Sequence, residues 1–285
     1  MKTPLDRKKV CFVGAGAMAE AIFRGMIEKK TAHADHIFIV NRHNQNRLQE
    51  LHREYGVQVH PDQKIKNRFI EEADVVVLAM KPKDVEEALS HLRSHIRPNQ
   101  LVISVIAGLS IHALSQYLGA AQLPIVRTMP NTSSTIGLGV TGVTYGEHVT
   151  EQHEAMTRAI FGAVGMVHEG EEPMLDVITG ISGSGPAYVY YFIENLMQAA
   201  IDGGIEPSAA KSIVAQTVLG AAKMVQQTGE EPSILRKKVT SPNGTTQAAI
   251  EKLDELGFPE AVQSAAKRSS ERAKELGAML EYRKS

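Results

Sequence analysis

A short apolar run at residues 9–13 (KVCFV) leads directly into Gly14-Ala15-Gly16-Ala17-Met18-Ala19, after which Met18, Ala21, Ile22 and Met26 recur at helical spacing. Strand, glycine turn and helix in this order leave few architectures open. Gly14 permits the tight turn, and Gly16 lets a backbone approach a pyrophosphate. Ala19 allows close helix–strand packing, and the helix start offers free N–H groups to an anion. A glycine-rich turn in any α/β protein is the alternative. The full strand–turn–helix context favours dinucleotide binding at Gly14, Ala15, Gly16, Ala17 and Met18.

The first half continues in the same alternation. Strands are expected at residues 36–40 (HIFIV), 57–59, 74–80 (DVVVLAM), 101–106, 124–129 and 139–145. A polar helix carrying Leu48 and Leu51 follows the second strand, and Val85, Ala88, Leu89 and Leu92 begin another. Strands separated by helices imply parallel pairing with crossover helices, a Rossmann-like doubly wound α/β domain over residues 1–168. From about Glu171 no strand pattern remains. Helices are expected at 187–200, from Pro207 through Val225, at 232–239, 245–256 and 259–280, giving an all-helical domain over residues 169–285. Residues 187–200 and 214–225 are small and apolar on more than one face, which suits either packing within the domain or a subunit interface.

Composition narrows the function. Lys and Arg number 31 against 32 Asp and Glu, with no long basic block, so nucleic acid and anionic membrane surfaces are not expected partners. The densest apolar stretches, 75–80 and 101–109, fall far short of the ~20 residues of a membrane helix. The start shows no signal-peptide pattern, and the lone Cys11 cannot form an internal disulfide, so a cytoplasmic protein is expected. No metal site is expected, because zinc-type Cys/His spacing and H-E-x-x-H are lacking, and no Walker lysine or G-x-S-x-G elbow is present. Cys11 reads as a core residue and His168 as a solvated or packing histidine.

The end of the second strand bears on cofactor choice. An NAD site usually carries an acid there for the ribose hydroxyls, but this chain reads Asn41-Arg42-His43. Arg42 can pair with a 2′-phosphate and Asn41 can hydrogen-bond it, so NADPH is favoured over NADH. Ala79-Met80-Lys81-Pro82 closes the fourth expected strand, where open α/β sheets bind ligands; Lys81 reads either as a support for the nicotinamide side or as a surface lysine. Residues 182–186 (SGSGP) and 240–246 (TSPNGTT) are polar, glycine-containing helix starts suited to a carboxylate, with plain N-capping as the alternative.

The order of VGAGAM at 13–18, AMKP at 79–82, SVIAG at 104–108, VRTMPNT at 126–132, GSGPAY at 183–188 and VTSPNGTT at 239–246 resembles the pyrroline-5-carboxylate reductase family over almost the whole chain, Met1–Arg7 apart. The resemblance implies a helical C-terminal domain interlocked with a second subunit, as a homodimer or a multiple of dimers. It adds Ala107 and Gly108 to the cofactor residues Asn41, Arg42, Ala79, Met80, Lys81 and Pro82, and places the substrate at Val239, Ser241, Gly244, Thr245 and Thr246. The backbone around Gly244–Thr246 would hold the substrate carboxylate, and Thr246 would hydrogen-bond the imine nitrogen. Thr246 and Lys81 are thus the expected catalytic residues of an NADPH-dependent reduction of 1-pyrroline-5-carboxylate to L-proline, the last step of proline biosynthesis.

Two local departures stand out. Asn243 replaces the first glycine of the family's Ser-Pro-Gly-Gly-Thr, and Ser133 stands where Pro is common. Asn tolerates left-handed backbone better than other non-glycine residues, so the loop shape can survive. The rival readings are a reductase of another imine or a β-hydroxyacid, with Lys211 or Lys223 as candidate catalytic lysines, and a non-catalytic NADP-binding regulator.

Overall fold

The structure, a computed structural model, describes residues 3–42 and 44–282. By packing, the chain divides into two units. The first comprises Met1–Gly183 with Ser269–Ser285, and the second Ser184–Arg268.

The first unit begins with β1 (Val10–Val13), α1 (Ala17–Glu28), β2 (Ile37–Val40), α2 (Gln45–Tyr55) and α3 (Gln63–Glu72). It continues with β3 (Val75–Leu78), α4 (Val85–Leu92), β4 (Leu101–Ser104), α5 (Ile111–Leu118) and β5 (Ile125–Pro130), then β6 (Gly139–Tyr145), α6 (Glu151–Gly162), β7 (Gly165–Glu169) and α7 (Met174–Ile178). The seven strands form one sheet in the order β2-β1-β3-β4-β5-β6-β7. β1 to β5 pair in parallel. The expectation of parallel pairing throughout needs one correction, because β6 runs antiparallel to β5 before β7 pairs with it in parallel. Residues 131–138 connect β5 to β6, too short for a crossover of about a dozen residues.

Strands buried on both faces explain the near-continuous apolar runs. Val10, Phe12, Ile37, Ile39, Val75 and Val77 enter one core layer, whereas Cys11, Phe38, Val40, Val76 and Leu78 enter the other. Cys11 is fully buried, and desolvation pushes its thiol well above the usual range. The strand expected at 57–59 is a single bridge between Gln58 and Phe38. The expected boundary at 168/169 lies inside β7, whose His168 is exposed and pairs with Gly142, and the packing divides instead at Gly183/Ser184.

The second unit is helical. It contains α8 (Gly185–Asp202), α9 (Pro207–Thr228), α10 (Pro232–Lys238) and α11 (Thr245–Glu255), followed by α12 (Phe258–Tyr282), whose residues from Ser269 belong to the first unit. α8 packs against α9. Yet no residue of α8 is buried, and Tyr190, Tyr191 and Phe192 are 57%, 69% and 42% exposed.

Candidate functional site: a dinucleotide turn and an uncapped helix start

In the first unit the chain leaves β1 for β2 on one side and returns to β3 on the other. The carboxyl ends of β1 and β3 therefore flank the reversal of strand order where such sheets hold ligands. Gly14 sits at that point with φ +121° and donates its N–H to the Val40 carbonyl at 2.9 Å. A β-carbon on Gly14 would lie 2.4 Å from the Ala79 carbonyl oxygen, so only glycine fits. Gly16 differs: a β-carbon there would meet nothing within 4 Å. Gly16 also caps α1 with no side chain bonded to the first N–H groups. Open space before an uncapped helix start fits a pyrophosphate.

Beside this turn lies a cavity of about 450 Å³ lined by Gly14, Asn41, Arg42, Lys66, Met80 and Glu87, among others. The sequence-derived residues Gly14, Asn41, Arg42 and Met80 thus come together. Arg42 forms an ion pair with Glu87, both largely exposed. Lys66, from α3, is 4% exposed, and its ammonium donates to the Asn41 carbonyl at 3.2 Å. Lys81 is not among the lining residues. It is exposed at the start of the turn Pro82–Asp84, its carbonyl accepting from the Asp84 N–H. After β4, Gly108 adopts φ +78° against the last helix, where a β-carbon on Gly277 would lie 2.8 Å from the Gly108 carbonyl oxygen.

Residues 179–183 form a π-helical turn, a local geometry frequent at functional positions. Ser182 donates its hydroxyl to the Ile178 carbonyl at 3.0 Å, while its own carbonyl accepts from the Asn131 side chain at 3.0 Å. Its hydroxyl proton is therefore committed within the turn.

In the second unit, α11 starts at Thr245 behind Gly244, which caps it without a side-chain hydrogen bond. Ser241 is not the cap; its carbonyl accepts from the Gly244 N–H at 3.0 Å. Asn243 takes the left-handed conformation at φ +59°, and its N–H donates to the Gln247 side chain at 2.8 Å. The loop therefore keeps its shape with Asn in the glycine position. The hydroxyls of Ser241, Thr245 and Thr246 make no hydrogen bond among the described residues. Val239, 66% exposed, precedes them.

Comparison with known proteins fits both halves. Residues 172–276 match the family described as pyrroline-5-carboxylate reductase dimerisation, and residues 9–108 match the one described as NADP oxidoreductase coenzyme F420-dependent. The chain is 44% identical to pyrroline-5-carboxylate reductase 1 of Bacillus subtilis over 97% of its own length and 92% of that protein's. It belongs to the pyrroline-5-carboxylate reductase family. Its similarity to the pyrroline-5-carboxylate reductase of Arabidopsis thaliana is 36% identity over 96% of this chain and 97% of that one. Among solved structures, the pyrroline-5-carboxylate reductase of Coxiella burnetii superposes with a TM-score of 0.86 at 34% identity, covering 94% of this chain and 98% of that one. The Plasmodium falciparum pyrroline carboxylate reductase with NADP bound gives 0.82 at 27% identity, covering 95% and 98%.

Three residues were not expected from the sequence, two that line the cavity and one on the last helix. Lys66 lies on a helix that polar composition hid, Glu87 lies on α4 facing Arg42, and Gly277 lies on the last helix. The Asp62 cap, whose side chain accepts from the N–H groups of Lys64 and Ile65, was the available signal for α3.

Proposed function

We propose that this chain reduces 1-pyrroline-5-carboxylate to L-proline with NADPH. Membership of the family over nearly its whole length carries the reading, and the intact Gly14–Gly16 turn beside an acid-free strand end supports it. Bound NADPH supplies the hydride. The chain's own residues bind, orient and polarise. The backbone of Gly14, Ala15, Gly16, Ala17 and Met18 receives the pyrophosphate, and Asn41 with Arg42 receives the 2′-phosphate. Ala79, Met80, Pro82, Ala107 and Gly108 shape the remaining cofactor side, where Lys81 supports the nicotinamide end.

On the substrate side, the uncapped N–H groups of Thr245 and Thr246, behind Gly244, suit the imine carboxylate, with Val239 and Ser241 beside them. Thr246 offers an uncommitted hydroxyl to the ring nitrogen. A protonated cyclic imine is already electrophilic at C5, so no strong general base is required. Electrostatic placement is the protein's contribution.

A homodimer, or a multiple of dimers, covers the exposed apolar faces of α8 and α9. The cytoplasm is the compartment of this reading, in keeping with one buried thiol and no disulfide.

The test is NADPH oxidation followed with pyrroline-5-carboxylate and identification of proline as product. Tight NADPH binding without reduction of any cyclic imine would instead establish the regulator reading.

A further inference from the structure

Lys66 is a charged side chain held 4% exposed on the wall of the dinucleotide cavity. An ammonium has three donors, and among the described residues Lys66 uses one, toward the Asn41 carbonyl. No carboxylate of the described residues pairs with it. Asp84 and Glu87 line the same cavity, but neither comes within ion-pair distance of Lys66, and Glu87 is engaged by Arg42. A buried cation compensated by a single carbonyl is poorly stabilised unless an anion arrives beside it. Its neighbour Asn41 occupies the strand end where an NAD-type site would hold an acid, and Arg42 follows at once.

We propose that Lys66 is a cofactor-specificity residue, whose buried ammonium forms, with the Arg42 guanidinium, a two-cation seat for the 2′-phosphate of NADPH. The inference rests on the NADPH reading above and deepens it. The two cations play unequal parts. Arg42 is exposed and must exchange Glu87 for the phosphate, whereas Lys66 is fixed by its burial and its bond to Asn41. Lys66 therefore sets a standing positive potential in the cavity, and Arg42 adds the closing contact.

The experiment is titration of the full-length protein with 2′,5′-ADP and 5′-AMP, and with NADPH and NADH, for the parent, Lys66→Met and Lys66→Gln. Thermal melting and circular dichroism report folding. In both variants the affinity for 2′,5′-ADP and NADPH should fall tenfold or more, while 5′-AMP and NADH change less than twofold. Lys66→Arg should restore most of the preference. Equal weakening of phosphorylated and unphosphorylated ligands would reduce Lys66 to a support for the Asn41 backbone and overturn the proposal. Unchanged affinities would overturn it as well. A parent protein that binds 2′,5′-ADP no better than 5′-AMP would sink the NADPH reading and this proposal together. A parent that discriminates beside variants that still do sinks only the role of Lys66.

Discussion

Gly14 faces the carbonyl oxygen of Ala79 across the ends of two neighbouring strands, leaving 2.4 Å where a β-carbon would stand. Two glycines of one motif therefore have separable roles. Gly14→Ala forces a side chain into that carbonyl at φ +121°, which should cost about 2–5 kcal/mol and lower Tm by roughly 4–20 °C. Gly16→Ala meets open space and should melt like the parent, yet bind NADPH more weakly. Calorimetry and cofactor titration of both variants separate the effects. Equal melting of Gly14→Ala and the parent would refute the steric account.

The Arg42–Glu87 pair makes a second prediction. Arg42→Asp should lose about 1.5–3 kcal/mol of NADPH binding, or roughly 10- to 150-fold, with little change for NADH. Glu87→Gln releases Arg42 from an exposed ion pair of about 0–1 kcal/mol, so NADPH should bind up to about fivefold tighter. Steady-state KM values for both cofactors check the two signs together.

On the substrate side, Thr246→Ala should lower kcat/KM for the imine by about 5- to 150-fold, the value of one hydrogen bond of about 1–3 kcal/mol in the transition state. NADPH affinity should hold. Asn243→Gly should be neutral, since Asn243 already adopts φ +59°, whereas Asn243→Val should disturb the start of α11. Parallel kinetics and melting of the three variants decide. Full activity in Thr246→Ala would move the imine elsewhere.

Acid stability offers a fourth test. The Lys9 ammonium, then the Arg68 guanidinium, hold the Glu72 carboxyl down to about 2, below the ordinary 4.5. A depressed folded value means this contribution is present above about pH 4.5 and is lost as the pH falls toward 2. Lys9→Met should raise the Glu72 titration part of the way toward its ordinary value, with Arg68 still holding it down, as carboxyl-resolved NMR would record. Activity at neutral pH should not change.

Much of this was readable from the chain because local chemistry and tertiary packing agree. The Gly14 turn is fixed by its own φ and by Ala79, and the helices of the second unit begin at Pro207, Pro232 and Thr245, where proline or a polar turn marks them. Lys66 was not readable. QKIKNRFIEE buries little besides Lys66 and Ile70, and nothing in periodicity says that a lysine turns inward. The direction of β6 was hidden in the same way, since alternation reports burial and not polarity of pairing. The length of residues 131–138 held that information. The loop before α11 lies between these cases, its backbone foreseen at Asn243 while its cap fell to Gly244 rather than to a serine.

In the proposed dimer, the bare aromatic face of α8 ties the protein's survival to its abundance. Tyr190, Tyr191 and Phe192 stay open to water in a single chain, so a lone copy loses the burial that association would restore. Under mass action, the fraction of chains holding an intact helical unit then rises with total protein. Dilution becomes a denaturant in its own right, and a newly made chain is at its most vulnerable before a second one is near.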